Sequence, residues 1–127
     1  MFTHPQVNLF ADEVEPSVRF YVEPLGFTET FRTPREGAPD HVEMTLGGFT
    51  LGIARRAAGL ATHGLDLVSG PPQCDLVFWC DDVDQAYGDL LAAGAGRVAA
   101  PHDFLDNRAA WVSDPSGQLI SIVMKRG

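Results

Sequence analysis

Hydrophobic and polar residues alternate at strand period through two similar stretches, Gln6 to Val14 (QVNLFADEV) and Asp75 to Val83 (DLVFWCDDV), and each ends in two acids and a valine. A helical pattern follows both. In the second, Asp82 suits an N-cap and Gln85, three residues on, completes a capping-box pattern. Val83, Ala86, Tyr87, Leu90 and Leu91 then recur at i, i+3, i+4 and i+7 spacing, and Gly94 stands where a helix closes at C′. The first helix is shorter. Pro16 falls near its first turn, Val18, Tyr21, Val22 and Leu25 form its apolar side, and Pro24 distorts its end.

Both units finish in paired strands. His41 to Leu46 and Phe49 to Ile53 are joined through Gly47-Gly48, a two-residue turn signal; Ala109 to Ser113 and Gln118 to Met124 are joined through Asp114 to Gly117. Ala57 to Gln73, rich in Gly, Ala, Ser and Pro, reads as a linker. The pattern predicts an α+β fold: two β-α-β-β-β modules over 1–56 and 74–127, a linker over 57–73, and one domain over 1–127. With one helix on one face of each sheet, the other faces are free to form a cup.

Strand alternation decides which side chains line that cup. Val7, Leu9 and Ala11 pack beneath the first helix, leaving Gln6, Asn8 and Phe10 in the cavity. Val42 and Met44 are core, so His41, Glu43 and Thr45 face the cavity. In the second unit the cavity receives Asp75, Val77 and Trp79, then Ala109, Trp111 and Ser113, then Leu119, Ser121 and Val123. Aromatic walls with a few polar groups suit a small molecule. An indole face attracts a positive centre, and Asp75 and Glu43 supply charge-assisted acceptors. Each of these residues also has a plainer reading. Trp79 and Trp111 either grip a ligand or fill a dimer interface; Asp75 and Glu43 either bind or are solvated acids. His41 is either an acid or base or a structural histidine. Phe104, in the predicted loop Pro101 to Asn107, is either a flap or a loop anchor. His4, His63 and His102 fall in predicted loops and form no ligand spacing.

Composition narrows the function classes. Over 127 residues the net charge is −8, which excludes the basic footprint of a nucleic-acid binder. No apolar run approaches the roughly 20 residues of a membrane span, and MFTHP lacks the start of a signal peptide; a cytoplasmic protein is expected. Cys74 and Cys80 share one parity of one predicted strand, about 20 Å apart, which is too far to pair. They read as inert, buried thiols in a reducing compartment.

Val18 to Phe27 (VRFYVEPLGF) resembles the "FY…LGF" helix end of the vicinal oxygen chelate superfamily, and Asp114 to Ser121 (DPSGQLIS) resembles its "DPdGn…iE" ending. The duplication resembles its paired modules. That superfamily includes glyoxalase I, extradiol dioxygenases, fosfomycin-resistance transferases and bleomycin-resistance-like binding proteins. The resemblance implies metal-ligand positions on the first and last strand of each module, which here are Gln6, Gly52, Asp75 and Ser121. His, Gln or Glu is implied at most of these, yet Gly52 offers no side chain and Ser121 is a poor neutral ligand. The chain is therefore most similar in character to the metal-free bleomycin- and mitomycin-resistance-like binding proteins, which sequester an antibiotic as homodimers. The expected function is cofactor-free binding of a planar molecule, neutral or cationic, on Asn8, Phe10, His41, Glu43, Asp75, Trp79, Phe104, Trp111 and Ser121. The alternatives are a glyoxalase- or dioxygenase-like enzyme with an unusual metal set drawn from Gln6, His41, Glu43 and Asp75, and a metal-free enzyme using Glu43 or Asp75 as base.

Overall fold

The computed structural model describes residues 1–127, which divide into two compact units, Met1–Ser69 and Gly70–Gly127. In the first, β1 (Val7–Ala11), α1 (Val14–Val22), β2 (Thr28–Thr33), β3 (His41–Leu46) and β4 (Phe49–Arg55) build a four-stranded sheet in the order β1-β4-β3-β2. The second repeats this with β5 (Asp75–Trp79), α3 (Val83–Ala92), β6 (Gly96–Phe104), β7 (Asn107–Ser113) and β8 (Leu119–Lys125), in the order β5-β8-β7-β6. First and last strands pair in parallel and the other neighbours antiparallel, so each sheet is mixed. The α+β duplication expected from the pattern is thus present.

In unit 1, α1 packs on β3 and β4. Its Val14, Val18 and Tyr21 are buried, as are Leu9, Val42, Met44, Leu51 and Ile53 of the sheet. Full burial of an aliphatic such as Leu51 or Ile53 contributes about 1.5–3 kcal/mol. Phe20, Tyr21, Phe27 and Phe49 continue this core as successive edge-to-face contacts, with centroids 5.5, 5.7 and 6.3 Å apart. The helix ends at Val22, two residues before Pro24, as the ring of that proline requires. Arg32 on β2 forks onto both oxygens of Glu15 on α1, at 2.6 and 2.9 Å, and clamps strand to helix.

Unit 2 uses the same plan. Val83 and Leu90 of α3 cover Ala110, Val112, Ile120 and Ile122. Arg108 on β7 forks onto Asp84 of α3 at 2.8 and 2.9 Å. Asp82 caps α3 by accepting from Gln85 N at 3.0 Å, but the Gln85 side chain turns forward to Asp89 (2.8 Å), so only half of the capping box forms. At the other end Gly94 (φ +102°) donates to Leu91 and Ala95 donates to Leu90, a Schellman closure. Gly47 (φ +57°) and Gly48 make the two-residue β3–β4 turn.

Three expectations are corrected, and the sequence pattern does not assign one strand, β2. Part of the segment read as a linker is a helix, α2 (Arg56–His63), with His63 as its last residue. Alanines at 57, 58 and 61 favour it and left-handed Gly64 caps it, outweighing the glycine content. The stretch Pro101 to Phe104 is not loop but the end of β6, which places His102 and Phe104 in a strand. Register breaks between Arg97 and Ala99 and between Ala99 and His102 absorb Pro101 and hide the alternation. The strand β2 has an exposed pattern with one break, so its sequence TETFRT carries no clear period. Finally, neither cysteine is buried: Cys74 is exposed and Cys80 half-buried, and both are free.

Candidate functional site

The helix-free face of unit 1 carries a polar cluster centred on Gly52. Register aligns Asn8, Gly52 and Glu43 in one row across β1, β4 and β3, with Phe31 of β2 next to Glu43. Gln6 Nε2 donates to Asn8 Oδ1 (2.9 Å) and to Glu43 Oε2 (3.2 Å), while His41 Nε2 meets the same Glu43 oxygen at 3.0 Å. The hydrogen bond from His41, with that from Gln6, holds the Glu43 carboxyl below its ordinary pKa of 4.5. Gly52 is what lets the cluster lie flat. A Cβ there would collide with Asn8 Oδ1 and sit 3.1 Å from His41 Cε1. Phe31, half-exposed, stands with its ring centroid 6.3 Å from that of His41. Phe10 is half-buried on the same face, and its carbonyl accepts from Arg56 Nη2.

Unit 2 holds the aromatic face. Trp111 Nε1 donates to Asp75 Oδ2 across β8 at 3.1 Å, and its ring stacks on His102 with centroids 5.8 Å apart and planes 21° from parallel. His102 is oriented by a 2.8 Å contact between Nδ1 and the Ala100 carbonyl. Trp79 is 60% exposed, and Lys125 Nζ lies 5.3 Å from its ring centroid. The two indoles therefore have separate partners, and the positive centre over Trp79 is the protein's own. A cleft of about 340 Å³ adjoins, lined by Trp79, Cys80, Asp81, Met124 and Lys125. Burial pushes the Cys80 thiol pKa up, away from reactivity. Ser121 sits between Trp111 and Val77 in register, but only 1% of it is exposed, so it is floor rather than lining. Phe104 ends β6 beside the hairpin turn and is largely exposed.

Thus Asn8, His41 and Glu43 come together, as do Asp75 and Trp111, while Phe104 and Trp79 stand outside those contacts. Sequence reasoning missed four participants. Lys125 was legible, since it continues the Leu119, Ser121, Val123 parity. Gln6 was placed on the face but not as the amide that orients Glu43. Phe31 and His102 lie on the two broken strands, where alternation carries no signal.

Three of the superfamily's four chelate positions carry a polar side chain here, Gln6, Asp75 and Ser121, and the fourth, Gly52, carries none. Gly52 provides no donor and no room for one, and Gln6 donates its amide N–H groups to Asn8 and Glu43. Asp75 already accepts from Trp111, and Ser121 is a buried neutral hydroxyl. No three His, Cys, Asp or Glu side chains are grouped so as to hold an ion. No helix is long and apolar enough to cross a membrane.

Known structures share this fold. TioX from Micromonospora sp. ML1 is 26% identical over 98% of this chain and 99% of its own, with a TM-score of 0.72. TnmS3, an antibiotic binding protein from Streptomyces sp. CB03234, is 22% identical over 98% and 97%, with a TM-score of 0.67. Lactoylglutathione lyase from Agrobacterium tumefaciens is 17% identical over 98% and 95%, with a TM-score of 0.71. No curated protein matches in sequence. The twin β-α-β-β-β units and their motifs agree with the sequence pattern of one family, which matches residues 3–122: the chain belongs to the Glyoxalase/Bleomycin resistance protein/Dioxygenase superfamily.

Proposed function

We propose that this protein binds and sequesters a planar small molecule, neutral or cationic, such as an antibiotic, without a metal, as a cytoplasmic homodimer. The observation that carries the reading is the helix-free face of unit 2, where Trp111 with Asp75 and, separately, the exposed Trp79 offer two indoles, while the chelate position at Gly52 has no side chain. Indole faces bind flat rings, and Asp75 offers a further acceptor to a polar or charged substituent. The fold shared with TnmS3 supports it. Sequestration acts by mass action, so it needs no reacting group.

Titration with a panel of planar antibiotics, followed by tryptophan emission, tests the reading. Both tryptophans lie on the face in question, so a bound ring quenches or shifts the emission saturably at about one ligand per site. Trp79→Ala and Trp111→Ala weaken that response. A broad panel that never perturbs the wild-type emission would remove the support. Sedimentation velocity at micromolar concentration tests the dimer.

A further inference from the structure

Unit 1 contains a hydrogen-bonded chain of polar side chains, outside the tryptophan face. Gln6 donates to Glu43, and Glu43 in turn takes His41 Nε2 at 3.0 Å. With Glu43 ionised, Nε2 is the protonated nitrogen, which leaves the lone pair on Nδ1. The hydrogen bond to Glu43 uses Nε2 and leaves Nδ1 to other partners, and the His41 side chain is 24% exposed. The imidazole is seated on bare Gly52, with the exposed ring of Phe31 beside it. A histidine fixed at one nitrogen by a carboxylate and open at the other is the geometry of a general base.

We propose that unit 1 carries a metal-free general-base site. In it His41 Nδ1 takes a proton from a small aromatic carbon acid resting on Phe31, and Glu43 is the positioning residue. The groups around His41 are neutral except for Glu43. From β1 come Gln6 and Asn8, from β2 Phe31 and Thr33, and from β4 Gly52 and Ala54. The next charged pair, Asp40 with Arg55, is satisfied by its own 2.8 Å bond. An imidazolium formed during reaction faces the Glu43 carboxylate, and the Arg56 guanidinium of the same unit is engaged by Asp12 and the Phe10 carbonyl. The site offers acceptors and an apolar wall, which suits a flat substrate with one acidic C–H.

The probe is 5-nitrobenzisoxazole. His41 Nδ1 removes the ring C–H proton, the freed electron pair forms the nitrile, the N–O bond breaks, and the charge leaves on a coloured phenolate; the imidazolium then returns its proton to water. The wild-type protein is expected to show saturable turnover about 10²-fold above an equal concentration of free imidazole. His41→Gln, with His41→Asn as a second variant, falls to the free-solution rate while circular dichroism shows each folded. Glu43→Gln still accepts from Nε2 but lacks the carboxylate, so kcat falls about tenfold with KM unchanged. A wild-type rate no faster than imidazole overturns the proposal, as does His41→Gln retaining activity or an unchanged kcat in Glu43→Gln. Because both tryptophans belong to unit 2, failure of the sequestration reading shows as a silent emission and is distinguishable from failure here.

Discussion

Gly52→Ala isolates the contact on which the unit 1 cluster rests. Gly52 lies outside the left-handed region, so alanine strains no backbone torsion, and the whole effect comes from the added methyl. That methyl would collide with Asn8 Oδ1 and press on His41 Cε1 at 3.1 Å, displacing two side chains of the hydrogen-bonded set. Overpacking of this kind costs about 1–3 kcal/mol. Removing a glycine from the unfolded chain offsets about 0.4–1 kcal/mol. The net loss is about 1–2 kcal/mol, a fall in Tm of about 4–8 °C for a domain of this size. Thermal unfolding by far-ultraviolet circular dichroism measures it. The cause is then separated by Asn8→Ala: in the double variant the main obstacle is gone, and the two changes couple by about 1 kcal/mol in the stabilising direction. A Gly52→Ala protein melting at or above wild type would refute the packing argument, and strict additivity with Asn8→Ala would refute the assignment to Asn8.

Three other outcomes follow from the structure. Asp114, 4% exposed, accepts from Ser116 N, Ser116 Oγ and Gln118 N at 2.8, 2.8 and 2.9 Å, so Asp114→Ala should cost about 2–3 kcal/mol in urea unfolding, and a loss under half of that contradicts its role in the β7–β8 turn. The Glu43 pKa is depressed in the folded protein, so its contribution is fully present above the ordinary 4.5 and disappears as pH falls through the lower folded value; the stability difference between wild type and Glu43→Gln should shrink between pH 6 and pH 3, and a constant gap would contradict the sign. Lys125→Met removes the cation over Trp79, worth about 0.5–1 kcal/mol at an exposed site, and should tighten a cationic planar ligand by a factor of about 2–5 in fluorescence titration; unchanged or weaker binding would show that Lys125 does not compete.

The parts of this molecule that were legible from sequence are those where periodicity and turn chemistry agree. The alternation of Leu9 with Ala11, of Val42 with Met44 and of Ile120 with Ile122 places each buried face correctly, and Gly47-Gly48, Asp82 and Gly94 mark their turns and caps. What escaped was broken or local. A bulge in β2 concealed Phe31, and two register breaks with Pro101 concealed His102. The helix over Arg56–His63 buries no residue, so no apolar stripe announces it. Side-chain reach is likewise invisible to parity. Alternation put Trp111 and Asp75 on one face but could not show the indole spanning the intervening strand β8 to donate to the acid.

The sheet order has a consequence for hydrogen exchange. The edge strands β1 and β5 each have a single neighbour, yet they carry Asn8 and Asp75, and Gln6 stands immediately before β1. Short edge strands open at lower free energy than central ones. Each candidate face is therefore assembled in part on an edge strand of its unit, held on by parallel pairing to residues more than 40 positions away. A molecule that contacts Asn8 or Asp75 ties that strand down. Slowed amide exchange along Val7–Ala11 or Asp75–Trp79 would then report which unit has been occupied, and by which strand, before the chemistry of the occupant is known.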